Sequence, residues 1–407
     1  MNVLIVGINY APEPVGIGPY TAGLATSLAA AGHQVTVICA RPYYPEWQVD
    51  PVFAGRGARR TAEDGVTVVR LPIYVPANPD GKRRLLHYMT FAARAQPAVL
   101  AEALRRRPHV VMSVAPSLLS SMAARGAARL FRAKLWLHIQ DFEVEAAFAT
   151  GLLPAKGALA KAALHFEDWA MKADRISTIS PQMCARLVQR GIPREKVVEL
   201  RNWASIDEIT PGAGPSPYRA EWGITQRHVA IYSGNLANKQ GIEIVVEAAR
   251  KLRHRRDLVF LVCGNGPNRE RFASSAADLD NIRFHDLQPR ERLSDLLSMA
   301  SVNLLPQIGG VADLVLPSKL TNMLASGRPL VATAEPGTGL AQEVEGCGLI
   351  TPPGDAAAFA GAIERLIDTP ELRAQFGAEA RRRAEDRWGS EQILGRFRQQ
   401  LGELVAG

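Results

Sequence analysis

Cysteine is scarce in this chain and never closely paired. Cys39, Cys184, Cys263 and Cys347 lie far apart. That spacing excludes a disulfide framework and a structural zinc site, and it suits a reducing compartment. Long apolar runs are also missing. The longest weakly polar stretch, residues 110–124, is broken by Pro116 and is too short to span a bilayer. An apolar strand begins at Val3 with no basic leader before it, so no signal peptide is expected and a cytoplasmic location is. No short-period repeat or low-complexity tract occurs. Nor does an acid follow the second strand, where Cys39-Ala40-Arg41 stands in place of the carboxylate that would hold an NAD ribose.

What is present is enough for two cores. At 407 residues and 47% apolar, the chain exceeds the size at which one core keeps growing. The net charge of +8 is unevenly placed. Residues 1–203 carry 25 Lys and Arg against 15 Asp and Glu, whereas residues 204–407 carry 23 against 25. Within residues 81–140 there are 11 basic side chains and one acid, Glu102. Such a concentration implies either a solubilising surface or a basic face for a polyanion, whether membrane lipid, nucleic acid or a phosphorylated substrate.

Apolar periodicity predicts a strand at 3–7, a loop containing Gly16 and Gly18, a helix at 21–31 and a strand at 35–39. This opens a Rossmann-like unit whose glycines allow backbone amides to approach a phosphate or sugar. Residues 41–64, rich in Pro, Tyr and Trp, read as a loop over a site mouth. Strands follow at 66–71, 110–114, 135–139 and 175–180, with helices at 82–107 and 159–173. The helix at 82–107 has apolar Leu85, Leu86, Met89, Phe91 and Leu104 and basic triplets at either end. It suits either a core-packed helix or one lying on an anionic membrane. Gln140-Asp141-Phe142-Glu143 sits at the carboxyl end of the strand at 135–139, where open parallel sheets place their sites.

The composition shifts to Pro, Gly and polar residues over 199–217, as a linker would. The expected division is an N-terminal domain at 1–200, a linker at 201–217, a second domain at 218–387 and a C-terminal helix at 388–407 packing back on the first. The second domain repeats the strand–loop–helix rhythm, with loops at Gly234 to Gly241 and Gly264 to Pro267. The fold class is therefore α/β, with two Rossmann-like doubly wound domains expected to face one another across a cleft. Near the end of this set, VADLVLPSKLTNMLASGRPLVAT reads as a polar loop with Asp313, then a helix starting at Pro317-Ser318 and ending at Gly327, then a buried strand. A helix start offers free amides and a positive dipole end, and Lys319 adds a full charge there; either an ordinary capped helix or a diphosphate site would use these parts.

Taken together, these residues resemble glycosyltransferase family 4, retaining enzymes of the GT-B fold. The likeness rests on Gly16 with LATSLAAAGHQVTV, the junction RNW, the SGN…KQG loop, CGNGP and LPSKLTNMLASGRPLVAT, all in family order. LHIQDFEVEA, YSGNLANKQGIE and ADLVLPSKLTN narrow it to the colanic-acid-biosynthesis fucosyltransferase type. The resemblance implies a metal-independent hexosyltransferase with no cofactor beyond its donor. That donor is a nucleotide-sugar, GDP-fucose first, bound in the C-terminal domain. The acceptor implied is a polyprenyl-diphosphate-linked saccharide at the inner face of the cytoplasmic membrane. Breaking a glycosyl–phosphate bond builds charge on the departing diphosphate, and fixed donors must meet it. The residues implied are Lys239, Lys319, Gly234, Asn235, Pro317, Ser318 and the helix starts near Gly16, Gly18 and Ser318. Gly264, Gly266 and the His285-Asp286-Leu287 segment would shape the base pocket.

Three departures stand out. Asn322 occupies the position of a ribose-holding Glu, and Asp313 is the nearest replacement for the preceding Glu of the motif. Gln140-Asp141 stands where many relatives place His before an acid, so His138, Gln140 and Asp141 are the candidates for the acceptor-side role, with a satisfied core histidine as the other reading of His138. Two rivals belong to other classes. A nucleotide-sugar 2-epimerase would share the architecture. A basic nucleic-acid binder would need more aromatics near the Arg run than Tyr88, Phe91, Phe131 and Trp136, so no nucleic-acid partner is expected.

Overall fold

The computed structural model describes residues 1–406 apart from 15, 78–80, 145–156, 205, 213, 237–240, 267 and 310–315. The chain forms two compact units, Met1–Asn202 with Leu394 onward and Trp203–Ile393.

The first unit carries strands β1 (Asn2–Gly7), β2 (Gln34–Ala40), β3 (Arg59–Glu63), β4 (Val66–Leu71), β5 (Val110–Ala115), β6 (Lys134–Ile139), β7 (Arg175–Thr178) and β8 (Val197–Glu199). They form one sheet in the order β3-β4-β2-β1-β5-β6-β7-β8. All neighbours are parallel except β3 with β4. Helices α1 (Gly18–Ala30), α2 (Gly81–Arg106), α3 (Ser121–Phe131), α4 (Ala158–Ala170) and α5 (Pro181–Gln189) accompany it. The inner strands read as near-continuous apolar runs such as NVLIVG and VVMSVA, as a sheet covered on both faces requires. Strand order reverses between β1 and β5, so the loops after those strands frame the crevice where doubly wound sheets bind ligands.

Residues 41–64 differ from the open loop expected of them. Tyr43 is buried and packs against Trp47 and His87, and Arg59–Glu63 pairs antiparallel with β4 at the sheet edge. The sequence RRTAE hides that strand because an edge strand with exposed faces needs no apolar alternation.

The second unit holds β9 (His228–Ser233), β10 (Leu258–Cys263), β11 (Ile282–His285), β12 (Val302–Leu305), β13 (Leu330–Thr333) and β14 (Gly348–Thr351). This sheet is parallel throughout, in the order β11-β10-β9-β12-β13-β14. Its helices are α6 (Pro217–Glu221), α7 (Glu243–Lys251), α8 (Arg269–Ser275), α9 (Leu293–Ser298), α10 (Ser318–Ala325), α11 (Gly339–Val344), α12 (Ala356–Asp368) and α13 (Pro370–Trp388). Here the reversal falls between β9 and β12, so the loop starting at Gly234 borders the crevice.

The expected linker at 201–217 is not a free tether. Ala204, Ile206 and Ile209 are buried in a core of the second unit, and the Ala204 amide donates to the Trp388 carbonyl at 2.9 Å. The last helix, α14 (Ser390–Ala406), joins the first unit from Leu394 onward. Phe397 is fully buried there and meets the Trp136 ring edge-on at 5.3 Å, while Trp136 Nε1 donates to Ser177 Oγ at 2.7 Å. Truncating such a phenylalanine costs about 3–5 kcal/mol.

Candidate active site

In the second unit the site is built at the carboxyl end of β9. Lys319, in the first turn of α10, reaches Tyr232 near the end of that strand. Its Nζ donates to Tyr232 Oη at 2.8 Å and lies 4.2 Å from the ring centroid. Burial pushes the Tyr232 phenol up, so it stays protonated and donates onward to the Asn235 carbonyl at 2.6 Å. Gly234 turns the chain beside this pair with φ 145°, and a Cβ there would lie 3.3 Å from Lys319 Nζ. A cation at a helix start opposes the helix dipole, and here Lys319 pairs with the Tyr232 phenol and its ring. The arrangement suits an anion seated against the helix start and the lysine together.

Two further glycines hold the neighbouring loops in register. A Cβ on Gly264 would fall 1.9 Å from the Gly234 carbonyl oxygen, and one on Gly266 would fall 2.6 Å from Asn235 Oδ1. No side chain fits at either place, so the loops after β9 and β10 close backbone to backbone. The Leu236 amide donates to the Asn265 carbonyl at 2.9 Å, locking them. The His285 ring stacks on Trp222 with centroids 3.8 Å apart and planes at 9°, and Leu287 beyond it is 54% exposed.

Pro317 occupies the N-cap of α10 without a side-chain bond, and Ser318 is the first helical residue. Asn322 is half-buried one turn beyond Lys319, on the same face of α10. Asp313 and Lys239 lie outside the described residues. Lys319, Gly234 and Asn235, expected together from the motif, are together.

The first unit presents a different set at the ends of β1, β5 and β6. Gly16 has φ 73°, and a Cβ there would come within 3.1 Å of the Tyr44 ring. Gly18 opens α1, where a Cβ would press on Glu13 at 3.0 Å. Glu13 was not foreseen. It is buried, its Oε1 accepts from the amides of Tyr43 (3.1 Å) and Tyr44 (3.2 Å), and its Oε2 accepts from Asn9 Nδ2 at 2.9 Å. An acid inside a Pro-Gly loop carries no periodic signal; only contact with residues thirty positions away reveals its function as a clamp between two loops.

His138 requires a correction. It is 1% exposed, with Nδ1 at 2.8 Å from Ser177 Oγ and Nε2 at 2.9 Å from Gln140 Nε2. Gln140 must donate to Nε2, so Nδ1 carries the proton and the ring is neutral; burial lowers its pKa to about 4. His138 is thus a satisfied core histidine. Gln140, also buried, exchanges two bonds with Asn202, at 2.9 and 2.8 Å. Of the three acceptor-side residues expected, only Asp141 is exposed. Beside it, Glu143 is half-buried and accepts from the Leu118 amide at 2.8 Å. Burial, with the Asp141 charge as a lesser cause, raises its pKa to about 7. A carboxyl poised there can exchange a proton near neutrality.

Known proteins share both the sequence pattern and the fold of this chain. Residues 15–203 match the family described as glycosyl transferase 4-like domain, and residues 217–383 match glycosyl transferases group 1. The colanic acid biosynthesis glycosyl transferase WcaI of Escherichia coli (strain K12) is 36% identical over 98% of both chains. The alpha-D-kanosaminyltransferase of Streptomyces kanamyceticus is 29% identical over 46% of this chain and 50% of its own. Among solved structures, sucrose-phosphate synthase from Thermosynechococcus elongatus superposes with TM-score 0.71 at 20% identity, covering 100% and 99% of the two chains. Anabaena HepE in complex with UDP gives 0.70 at 14%, covering 99% and 100%. With two doubly wound units, the full-length kinship and both family matches, the chain belongs to the glycosyltransferases of the GT-B fold.

Proposed function

We propose that the chain transfers a sugar, with retention and without a metal ion, from a nucleotide-sugar to a lipid-linked saccharide in exopolysaccharide biosynthesis. The observation that carries this reading is the Lys319–Tyr232–Gly234 cluster at the carboxyl end of β9. Its cation and the start of α10 offer the departing diphosphate charge and amides in place of a metal. GDP-fucose is the donor assigned, on the resemblance of the quoted motifs; the full-length relative named for colanic acid biosynthesis supports the exopolysaccharide setting. On the acceptor side, Glu143 orients and deprotonates the incoming hydroxyl, beside Asp141.

A lipid-linked acceptor calls for a membrane face, and α2 supports one. None of the helices among the described residues is long and apolar enough to cross a membrane. Yet α2 is apolar on both sides. Phe91, Ala95 and Val99 face the core, while Leu85, Leu86, Met89, Leu100 and Leu104 are 39–62% exposed. At about 100° per residue Leu86, Met89, Leu100 and Leu104 fall on the outward half of the helix, with Leu85 at its edge. Exposed Lys82 and Arg83 border them at the start of the helix, and Arg84, Arg94, Arg105 and Arg106 are exposed elsewhere around it. Such a stripe would lie in the headgroup region of the inner leaflet, with its basic residues over anionic lipid.

The donor is tested by thermal shift with GDP-, UDP- and dTDP-sugars. Binding at 100 times Kd stabilises by about 2.7 kcal/mol, so GDP-fucose should raise the melting temperature by several degrees. A larger response to a UDP- or dTDP-sugar would reassign the donor.

A further inference from the structure

The second unit has a cavity of about 440 Å³ far from the cluster just described. It opens at the amino-terminal ends of β9, β12 and β13, bordered by Arg227-His228, Ser301 and Arg328-Pro329. Gly234 lies beyond the other end of β9, and a six-residue strand separates the two by roughly 20 Å.

Four guanidiniums line the cavity, from Arg219, Arg227, Arg328 and Arg373, together with His228. Among the described residues, no carboxylate lines it. Two of the four are fixed in place by carbonyls that do not neutralise them. Arg219 donates to Gln226 O at 2.8 Å and Arg227 O at 3.1 Å; Arg373 donates to Leu366 O at 3.0 Å and to Ile367 O. Arg328 is half-buried and pairs with no acid among the described residues. Burial and the charge of Arg373 both lower its pKa, and burial and Arg227 do the same to Arg373. Asp257 and Asp368, whose charges reach His228 and Arg373, are held by Arg255, and Glu371 also reaches Arg373.

Holding like charges together in a half-buried recess is costly unless something anionic joins them. Arginine forks match the oxygens of a phosphate bidentately, several forks can share one such group, and pinned forks lose little freedom on binding. We propose that this cavity is a second anion site of the C-terminal unit, built for a phosphate-bearing ligand and distinct from the donor end of the same sheet. The site would answer to free phosphate or diphosphate, or to a phosphate headgroup, without touching the donor.

The test uses the full chain and Arg328→Gln, Arg227→Gln and Lys319→Ala variants. Inorganic phosphate and pyrophosphate are titrated by calorimetry at ionic strength matched with sodium chloride, and phosphatidate-containing vesicles form a second arm. Each Arg→Gln change should weaken pyrophosphate binding about tenfold, the loss of one charge-assisted contact, while leaving turnover unchanged. Arg227 is exposed, so its variant folds even if Arg328→Gln does not. Vesicle binding that is sensitive to Arg227→Gln, without a soluble response, would keep the site and make its ligand a lipid phosphate. A response that survives both Arg changes and disappears in Lys319→Ala would place the anion at the donor end and overturn the proposal. No response to either probe would overturn it as well.

Discussion

Glu143 is a carboxyl that burial brings to titrate near neutrality. Its pKa of about 7 lies above the usual 4.5, so between those values the folded chain holds a proton that the unfolded chain has released. Stability therefore falls as pH rises through that window and levels off above it. Glu143→Gln should flatten this part of the stability profile. It should also remove a limb of the turnover profile that rises through about pH 7, if Glu143 accepts the proton of the acceptor hydroxyl; a rising limb that persists in the variant would assign the proton to another group. Residues of this kind were the least legible in the sequence. Glu143 reads there as one of several acids on a polar segment, and its contact with Leu118 depends on two strands lying side by side. Glu13 is hidden for the same reason. Lys319 and Tyr232 are 87 positions apart, so no local pattern pairs them; the helix start alone left Lys319 between an ordinary capped helix and a diphosphate site, and the resemblance to a family favoured the second.

Elements were easier to read than residues where burial is two-sided. A parallel strand covered on both faces must be apolar throughout, so β1, β5, β9 and β10 declare themselves as short runs of Val, Ile and Leu. Elements with one wet face or small side chains did not. The helix α3, SMAARGAARLF, buries alanines against α2 and lacks the large apolar period that marks a helix. For α2 the sequence left two readings open, core helix or membrane helix; the structure buries Phe91, Ala95 and Val99 and leaves Leu86, Met89, Leu100 and Leu104 exposed. Replacing Leu86, Met89, Leu100 and Leu104 together by Ser should leave stability within about 1 kcal/mol, since all four are exposed. It should lower partitioning onto anionic vesicles on the order of 100-fold, and that loss should persist at high salt, where the Arg contribution is screened. Unchanged sedimentation with vesicles would remove the membrane face.

At the scale of the whole molecule, two sheets of the same winding place their binding loops at the carboxyl ends of their strands, and the glycines at 234, 264 and 266 allow those loops to close without side chains between them. On the function proposed, a fixed cation at the start of α10 meets the charge that leaves with the diphosphate. The most direct measurement is the rate of GDP release from GDP-fucose in the presence of a lipid-linked acceptor, for the native chain and for Lys319→Ala, with melting temperatures taken alongside. Turnover of Lys319→Ala should fall about 10²–10³-fold with the melting temperature held within a few degrees. A folded Lys319→Ala protein that turns over at the native rate would contradict it.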